Sequence, residues 1–457
     1  MMNKWIPLAA TILILSLNDP ISAEDPQDGV LHFDFPAVHV GTAEYDEGPT
    51  GTTVFYFPDG VIAAADVRGG SPGTVNVPAV SLAYETPYID AVVFSGGSSY
   101  GLSAATGVAN EIKSLKREQG KDHIAGVLGA IIYDVGGRRF SRITPDDALG
   151  ADALRAAEPN RFPLGARGAG RMAMQGAYFY FHSGESADDW VGWPHSGQGG
   201  AFRQIGPTKI AVFTVVNSMG AIVDREGRVV RCHRNDPSAG CLDISDLLGR
   251  TIAVRGHSGK SEEGQTSNTT LTLVVTNQKM PFADLQRLAR QVHTSMARAI
   301  QPFATEDDGD VLYAVTTSEV EDDELSSLEL AVIASEVAWD AVLSSVPELP
   351  PVPAVADSSP TDLLRQYVGT YTFPDNSKLD VTLGGRSLLA SFAKGFNRLN
   401  LYFDEGRQYV LTPAIDGRFI VAPAEDRLGF VTRSGEVVGL TLNPGPWAMV
   451  AKRNMSP

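Results

Sequence analysis

The sequence predicts an α/β domain followed by a separate module built only of strands, and three features of the chain predict it. A β-α-β-α alternation fills residues 270–343, a proline-dense stretch follows at 346–360, and β-rich runs separated by turn signals occupy the remainder. At 457 residues the chain also exceeds what one hydrophobic core ordinarily supports.

The alternation is read element by element. Thr270–Thr276 (TLTLVVT) is a strand, and Ala283–Ile300 is an amphipathic helix with Leu285, Leu288, Val292, Met296 and Ile300 on one face. Val311–Thr317 (VLYAVTT) is the next strand and Leu325–Leu343 the next helix. If both strands share a sheet, the crossover rule makes them parallel, so their N-terminal ends lie at one edge. That edge then carries Thr269 and the Asp308-Gly309-Asp310 turn. The segment VPELPPVPAVADSSP (346–360) has neither helical nor strand period and reads as an extended linker. Beyond it, YVGTYTF, KLDVTL, SLLASF, LNLYF, QYVLTP, GRFIVA, RLGFVT and VVGLTL describe an antiparallel barrel or sandwich. No catalytic constellation stands out in that tail, which is expected to fold on its own and to serve structure or interaction.

The chain begins like a secretory signal: Lys4, an apolar run from Trp5 to Leu17, and the small residues Ser22-Ala23. The apolar run is short for a membrane span, so the expected mature chain starts near Glu24, outside the cytoplasm, with a retained anchor as the alternative. The expected division is a signal at 1–23, an α/β domain at 24–345, the linker, and the β module at 361–457. A net charge of −17 argues against nucleic acid and anionic membrane surfaces as partners. The two cysteines, Cys232 and Cys241, close a short loop; in an oxidising compartment that suits a disulfide, with two free thiols as the alternative.

Two nucleophiles compete. Gly97-Ser98-Ser99-Tyr100-Gly101 fits G-x-S-x-G between a strand-like and a helix-like stretch, which would make Ser99 a nucleophile served by His195, His257 or His293. The plainer reading is a tight glycine turn. Thr269 follows the polar stretch Gly256–Asn268 (GHSGKSEEGQTSN) and heads a β-rich run. Were the Asn268–Thr269 bond to break, the freed α-amine could act as general base for the Thr269 hydroxyl near neutral pH. On residues alone, Asn-Thr-Thr is equally an ordinary strand entry.

Longer matches decide between them. HFDFPAVHVGTAEYDEGPTG (32–51), AIIYD (130–134), GQGGAF (197–202) and GAIVDREGRVVR (220–231) occur in the first half. SNTTLTLVVTN (267–277), QVHTSMARAIQPF (291–303), DGDVLYAVTT (308–317) and VIASEVAWDAVL (332–343) follow in the second. From about Leu31 to Leu343 the chain resembles the autoprocessing L-aminopeptidase/D-amidase-esterase family, and within it the 6-aminohexanoate-oligomer hydrolases most. The tail resembles lipocalin-like β domains appended to exported bacterial hydrolases. The resemblance implies a layered α/β/β/α sandwich of N-terminal-nucleophile type, cleavage between Asn268 and Thr269, and a heterodimer of the two fragments that assembles further. It implies Thr269 as nucleophile, Asp308 and Asp310 positioning the new N-terminus, and Tyr133 and Asn217 as donors to an oxyanion. It implies amide hydrolysis through an acyl-enzyme with no metal or organic cofactor. Linear ω-amino-acid oligomers or short peptides are the implied substrates; an N-terminal aminopeptidase and a processed, non-catalytic binding protein are the alternatives. One departure stands out: where the family often has a lysine, GAGRMAMQGA places Ala177, and Arg171, His182 or His195 would have to substitute.

Overall fold

The computed structural model describes residues 21–22, 29–81, 88–135, 142–182, 194–232, 240–258, 268–321, 325–347, 354–356, 360–374, 376–392, 406, 408–421, 426–442 and 447–454. The polar stretch 259–267, the run LNLYF and all but Ile21–Ser22 of the signal-like segment lie outside them.

A mixed sheet runs in the order Gln198–Ile205, Thr208–Asn217, Thr269–Gln278, Val311–Val320, Thr50–Val67, Tyr88–Ser95, Val127–Ile131. The long strand Thr50–Val67 pairs with Val311–Val320 through its second half and with His39–Tyr45 through its first. The sheet thereby turns back over itself, and an aromatic core closes the space between its two halves. Phe55, Phe94, Phe162, Phe213 and Tyr313 are all fully buried there. Their ring pairs, such as Phe162–Phe213 at 4.9 Å and Phe55–Phe94 at 5.4 Å, each contribute about 0.5–1.5 kcal/mol beyond the area they bury. Helices Phe282–Ser295 and Ser327–Leu343 cover one outer face, and Ser103–Glu118 and Asp147–Arg155 cover the other. The outcome is the expected helix–sheet–sheet–helix sandwich.

Local chemistry sets the element ends. Helix Ser327–Leu343 starts at a reciprocal cap, in which the Ser326 hydroxyl accepts the Glu329 N–H and the Glu329 carboxylate accepts the Ser326 N–H. The first helix of the crossover stops at Ser295, short of the Ile300 expected from periodicity. A 3-10 turn, Met296–Arg298, follows, and Ile300–Gln301 pairs with Ala221–Ile222. Pro302 accounts for the extended Gln301, because the residue before a proline is driven out of the helical region. Cys232 and Cys241 form a disulfide.

The tail is a closed barrel of antiparallel strands: Gly369–Thr372, Lys378–Gly384, Ser387–Phe392, Gln408–Pro413, Phe419–Val421, Asp426–Arg433, Glu436–Leu442 and Met449–Arg453. The last strand closes the barrel on the first, pairing Tyr371 with Arg453. Part of the proline-dense stretch joins the barrel as well, since Val355 pairs with Ala414. The barrel does not stand apart from the sandwich, contrary to the sequence expectation. Trp447, only 1% exposed, packs with Ala166 and Met172 of the α/β domain, and its ring lies over His195 at 4.2 Å and 18°. A cleft of about 560 Å³ at the seam is lined by Glu47, Pro49 and Ile143 on one side and Phe373, Met449 and Val450 on the other.

Candidate active site

The candidate site is built where central strands begin. Thr269–Gln278 is buried along its whole length, with Val311–Val320 parallel on one side and Thr208–Asn217 antiparallel on the other. Leu271 pairs with Val311, so Thr269 and Asp310 start their strands at one edge, as the crossover rule required. Asn217 ends its strand directly opposite Thr269. Asn268 forms a parallel bridge with Asp308.

The Asn268 carbonyl is held from two sides. It accepts the Gly309 N–H at 2.7 Å and the Thr269 hydroxyl. The hydroxyl therefore sits against the carbonyl it would attack, while the backbone donor polarises that carbonyl. A side chain at position 309 would not fit: a Cβ there would stand 2.7 Å from both Thr269 Oγ1 and the Ser71 carbonyl oxygen. Sequence reasoning singled out the two carboxylates of this turn and missed the glycine between them, whose contribution is a main-chain N–H.

Both carboxylates are buried and hydrogen-bonded. Asp308 accepts the Thr305 hydroxyl at 2.8 Å, the Thr305 N–H at 3.0 Å and the Met219 N–H at 3.2 Å. Asp310 accepts the Thr270 N–H at 2.5 Å and the Ala304 N–H at 3.1 Å. Burial pushes the Asp308 carboxyl above its ordinary range, against the bonds from Thr305 and Met219. Burial and then the neighbouring Asp308 charge hold Asp310 well above it. In the intact chain these groups thus order the turn and the second residue of the strand, Thr270, rather than gripping the Thr269 hydroxyl. Met219 and Thr305 were invisible as site residues in the sequence.

Tyr133 and Asn217 also meet, but through the Tyr133 main-chain oxygen, which accepts the Asn217 Nδ2–H at 3.2 Å. The Asn217 Oδ1 accepts the Met174 N–H at 3.1 Å. Ala177 is buried beside Met174, Met219 and Tyr178, so an apolar patch occupies the position of the family lysine. Arg171 commits its guanidinium to Glu44 at 3.0 Å and Asp46 at 2.7 Å, and His195 lies under Trp447. The His182 side chain falls outside the described residues.

Ser99 does sit in a strand–turn–helix setting, exposed in the 3-10 turn Ser98–Leu102. Two of its expected bases are engaged elsewhere: His195 lies under Trp447, and His293 is buried with its ring on Asp66 at 3.0 Å, where burial lowers its pKa. The His257 side chain lies outside the described residues. Asp134 takes the Gly97 N–H and the Thr50 hydroxyl, so the turn's glycine serves local packing. Among the described residues no cluster of His, Cys, Asp or Glu is placed to hold a metal ion.

A strand-initial threonine whose hydroxyl meets the preceding carbonyl, with two buried carboxylates beside it in a four-layer sandwich, is the arrangement the sequence led one to expect of a hydrolase with an N-terminal nucleophile. The chain belongs to peptidase family S58, whose model matches residues 33–349. It is 38% identical over 332 residues to a 6-aminohexanoate-oligomer endohydrolase of Paenarthrobacter ureafaciens, covering 69% of this chain and 86% of that one. An uncharacterized aminopeptidase of Mycobacterium leprae is 30% identical over 296 residues, covering 59% and 72%. A solved β-aminopeptidase from Burkholderia sp. aligns with a TM-score of 0.47 at 15% identity, over 68% of this chain and 84% of that one.

Proposed function

We propose that the chain cuts itself between Asn268 and Thr269 and then hydrolyses amide bonds in linear ω-amino-acid oligomers with Thr269 as nucleophile. The observation that carries this reading is the double hold on the Asn268 carbonyl by the Thr269 hydroxyl and the Gly309 N–H. In self-cleavage the Thr269 oxygen bonds to the Asn268 carbonyl carbon, and the C–N bond breaks to leave the Thr269 nitrogen as an amine. Water then hydrolyses the resulting ester, giving an Asn268 carboxylate and a free Thr269 N-terminus.

In turnover, the Thr269 α-amine takes the hydroxyl proton as the oxygen attacks the substrate carbonyl. The proton passes to the departing amine, and water hydrolyses the acyl-enzyme. The new ammonium arises beside Asp308 and Asp310, whose raised pKa values make them responsive to an added positive charge. Asn217, opposite Thr269, is the amide donor for the oxyanion in turnover, and Tyr133 supports it.

The two fragments stay together, because Thr269–Gln278 of the second is paired with Thr208–Asn217 of the first. Further assembly of this pair is a question for mass measurement under native conditions. Export is part of the reading; the signal-like start and the Cys232–Cys241 disulfide support it. Among the described residues no helix is long and apolar enough to cross a membrane.

Intact mass and N-terminal sequencing test the proposal directly. Two fragments are expected, the smaller beginning Thr-Thr-Leu-Thr-Leu. An uncut chain that hydrolyses amides would overturn the mechanism. Turnover of a linear 6-aminohexanoate oligomer against amino-acid p-nitroanilides separates the oligomer hydrolase from an aminopeptidase, and two fragments without turnover on either would indicate the binding protein.

A further inference from the structure

We infer that the C-terminal barrel is a working part of the catalytic unit, and that its Trp447 is a positioning residue for Asn217. The inference rests on the role of Asn217 proposed above.

The path from one residue to the other is short and continuous. Trp447 is buried against Met172 and Ala166, and its ring stacks on His195 at 4.2 Å. His195 lies in a small ribbon that pairs antiparallel with Met174. The ribbon is closed by the Ser196 N–H to the Ala173 carbonyl and the Gln175 N–H to the Pro194 carbonyl, both at 3.0 Å. From it, the Met174 N–H donates to Asn217 Oδ1 at 3.1 Å. The Ser196 hydroxyl and Gly197 carbonyl bind Val216, the residue before Asn217, on its main-chain oxygen and N–H respectively.

The Asn217 amide is therefore oriented from a ribbon whose outer side is clamped between sandwich and barrel. A carboxamide can be turned over at little cost unless its oxygen has a fixed donor, and here that donor is the Met174 N–H. Burying an indole of this size on the ribbon removes it from solvent and restricts its motion. Without the indole, Met172 and His195 border a void, and the ribbon loses the surface that holds it in register. A displacement well under an ångström at an oxyanion donor is enough to slow turnover.

Self-cleavage is the internal control, since the Asn268 carbonyl is held by Gly309 rather than Asn217. In the full-length protein, Trp447→Ala should therefore still cut itself. Its kcat on a 6-aminohexanoate oligomer, normalised to free Thr269 N-termini, should fall on the order of 10-fold with KM little changed. Trp447→Phe, which keeps an aromatic face over His195, should recover to within about 3-fold. Trp447→Leu carries the same test should the alanine variant fail to fold.

The deciding measurement is a double-mutant cycle with Asn217→Ala, expected to lose about 10²-fold alone. If Trp447 acts through Asn217, the double variant should be no slower than Asn217→Ala in kcat, again normalised to free Thr269 N-termini. Losses that multiply would overturn the inference, as would normal kcat in Trp447→Ala. Thr269→Ala in the same series keeps the two readings apart. Activity without Thr269 fails the nucleophile assignment, whereas Thr269-dependent activity indifferent to Trp447 fails only the role of the barrel.

Discussion

Gly309 offers the sharpest perturbation of self-cleavage, because a single methyl group at this position is set directly against the Thr269 hydroxyl. A Cβ at this position would lie 2.7 Å from Thr269 Oγ1 and from the Ser71 oxygen, where ordinary contact begins at 3.4 Å, so something must move by roughly 0.7 Å. Ser71 is the less free of the two, since its N–H is tied to the Asp308 carbonyl at 2.8 Å. Relieving both contacts makes the turn shift against Ser71 and the Thr269 side chain rotate its hydroxyl off the Asn268 carbonyl. The Gly309 N–H remains on the backbone, so the polarising donor survives while the nucleophile is misplaced. Gly309→Ala should then slow self-cleavage on the order of 10²-fold, as misplacement of a reacting group by up to an ångström does. Overpacking should cost about 1–3 kcal/mol of stability, which leaves the chain folded. The assay follows freshly purified precursor by intact mass over hours, with folding checked by circular dichroism. A folded Gly309→Ala precursor that processes at the wild-type rate would refute the assignment of this carbonyl contact to the reaction.

Thr269→Ala should abolish both self-cleavage and turnover while Ser99→Ala leaves both intact; activity retained in the first and lost in the second would return the nucleophile to Ser99. Asp308→Asn and Asp310→Asn should each lose about 10²-fold in turnover, since the charge beside the new ammonium is gone; near-normal rates in both would reduce the turn to a structural one. Because the folded pKa of Asp310 lies above its unfolded value, the folded chain binds the extra proton, and stability is lost as pH rises from about 4 through the folded pKa. In the uncut Thr269→Ala background, adding Asp310→Asn should remove that loss, so its urea midpoint should gain on its parent from pH 4 to 8; a constant difference would count against the raised pKa. Reducing the Cys232–Cys241 disulfide, which spans a separation of 9 residues, should lower stability by about 2–3 kcal/mol, read as a urea midpoint with and without reductant.

Periodicity made the sandwich legible where burial is one-sided or complete. The apolar run after Thr269 and the spacing of Leu285, Leu288 and Val292 correspond to a buried strand and a helix face. The same spacing misled at Ile300, which is buried by pairing with Ile222 rather than by continuing the helix. Eight β-rich runs announced the all-β module, yet the strand that closes it was missed. Met449–Arg453 turns only Met449 and Ala451 inward, and two buried residues make no pattern. At the site, charged residues at fixed spacing are visible in a sequence, so Asp308 and Asp310 were found. A main-chain N–H such as that of Gly309 leaves no letter, and Trp447 lies too far along the chain for spacing to link it with His195.

If the chain is cut as proposed, the position of Thr269–Gln278 within the sheet bears on how the protein ages. The precursor is one chain, and its refolding is a unimolecular event at any dilution. Cutting at residue 268 assigns this strand and its neighbour Thr208–Asn217 to different polypeptides. Each fragment then holds part of a sheet whose aromatic core draws Phe55, Phe94 and Phe213 from one polypeptide and Tyr313 from the other. Recovery from denaturation becomes second order in protein, and at low concentration it competes poorly with aggregation of two half-sheets. The persistence of the mature form is therefore governed by how slowly it unfolds rather than by an equilibrium it can return to.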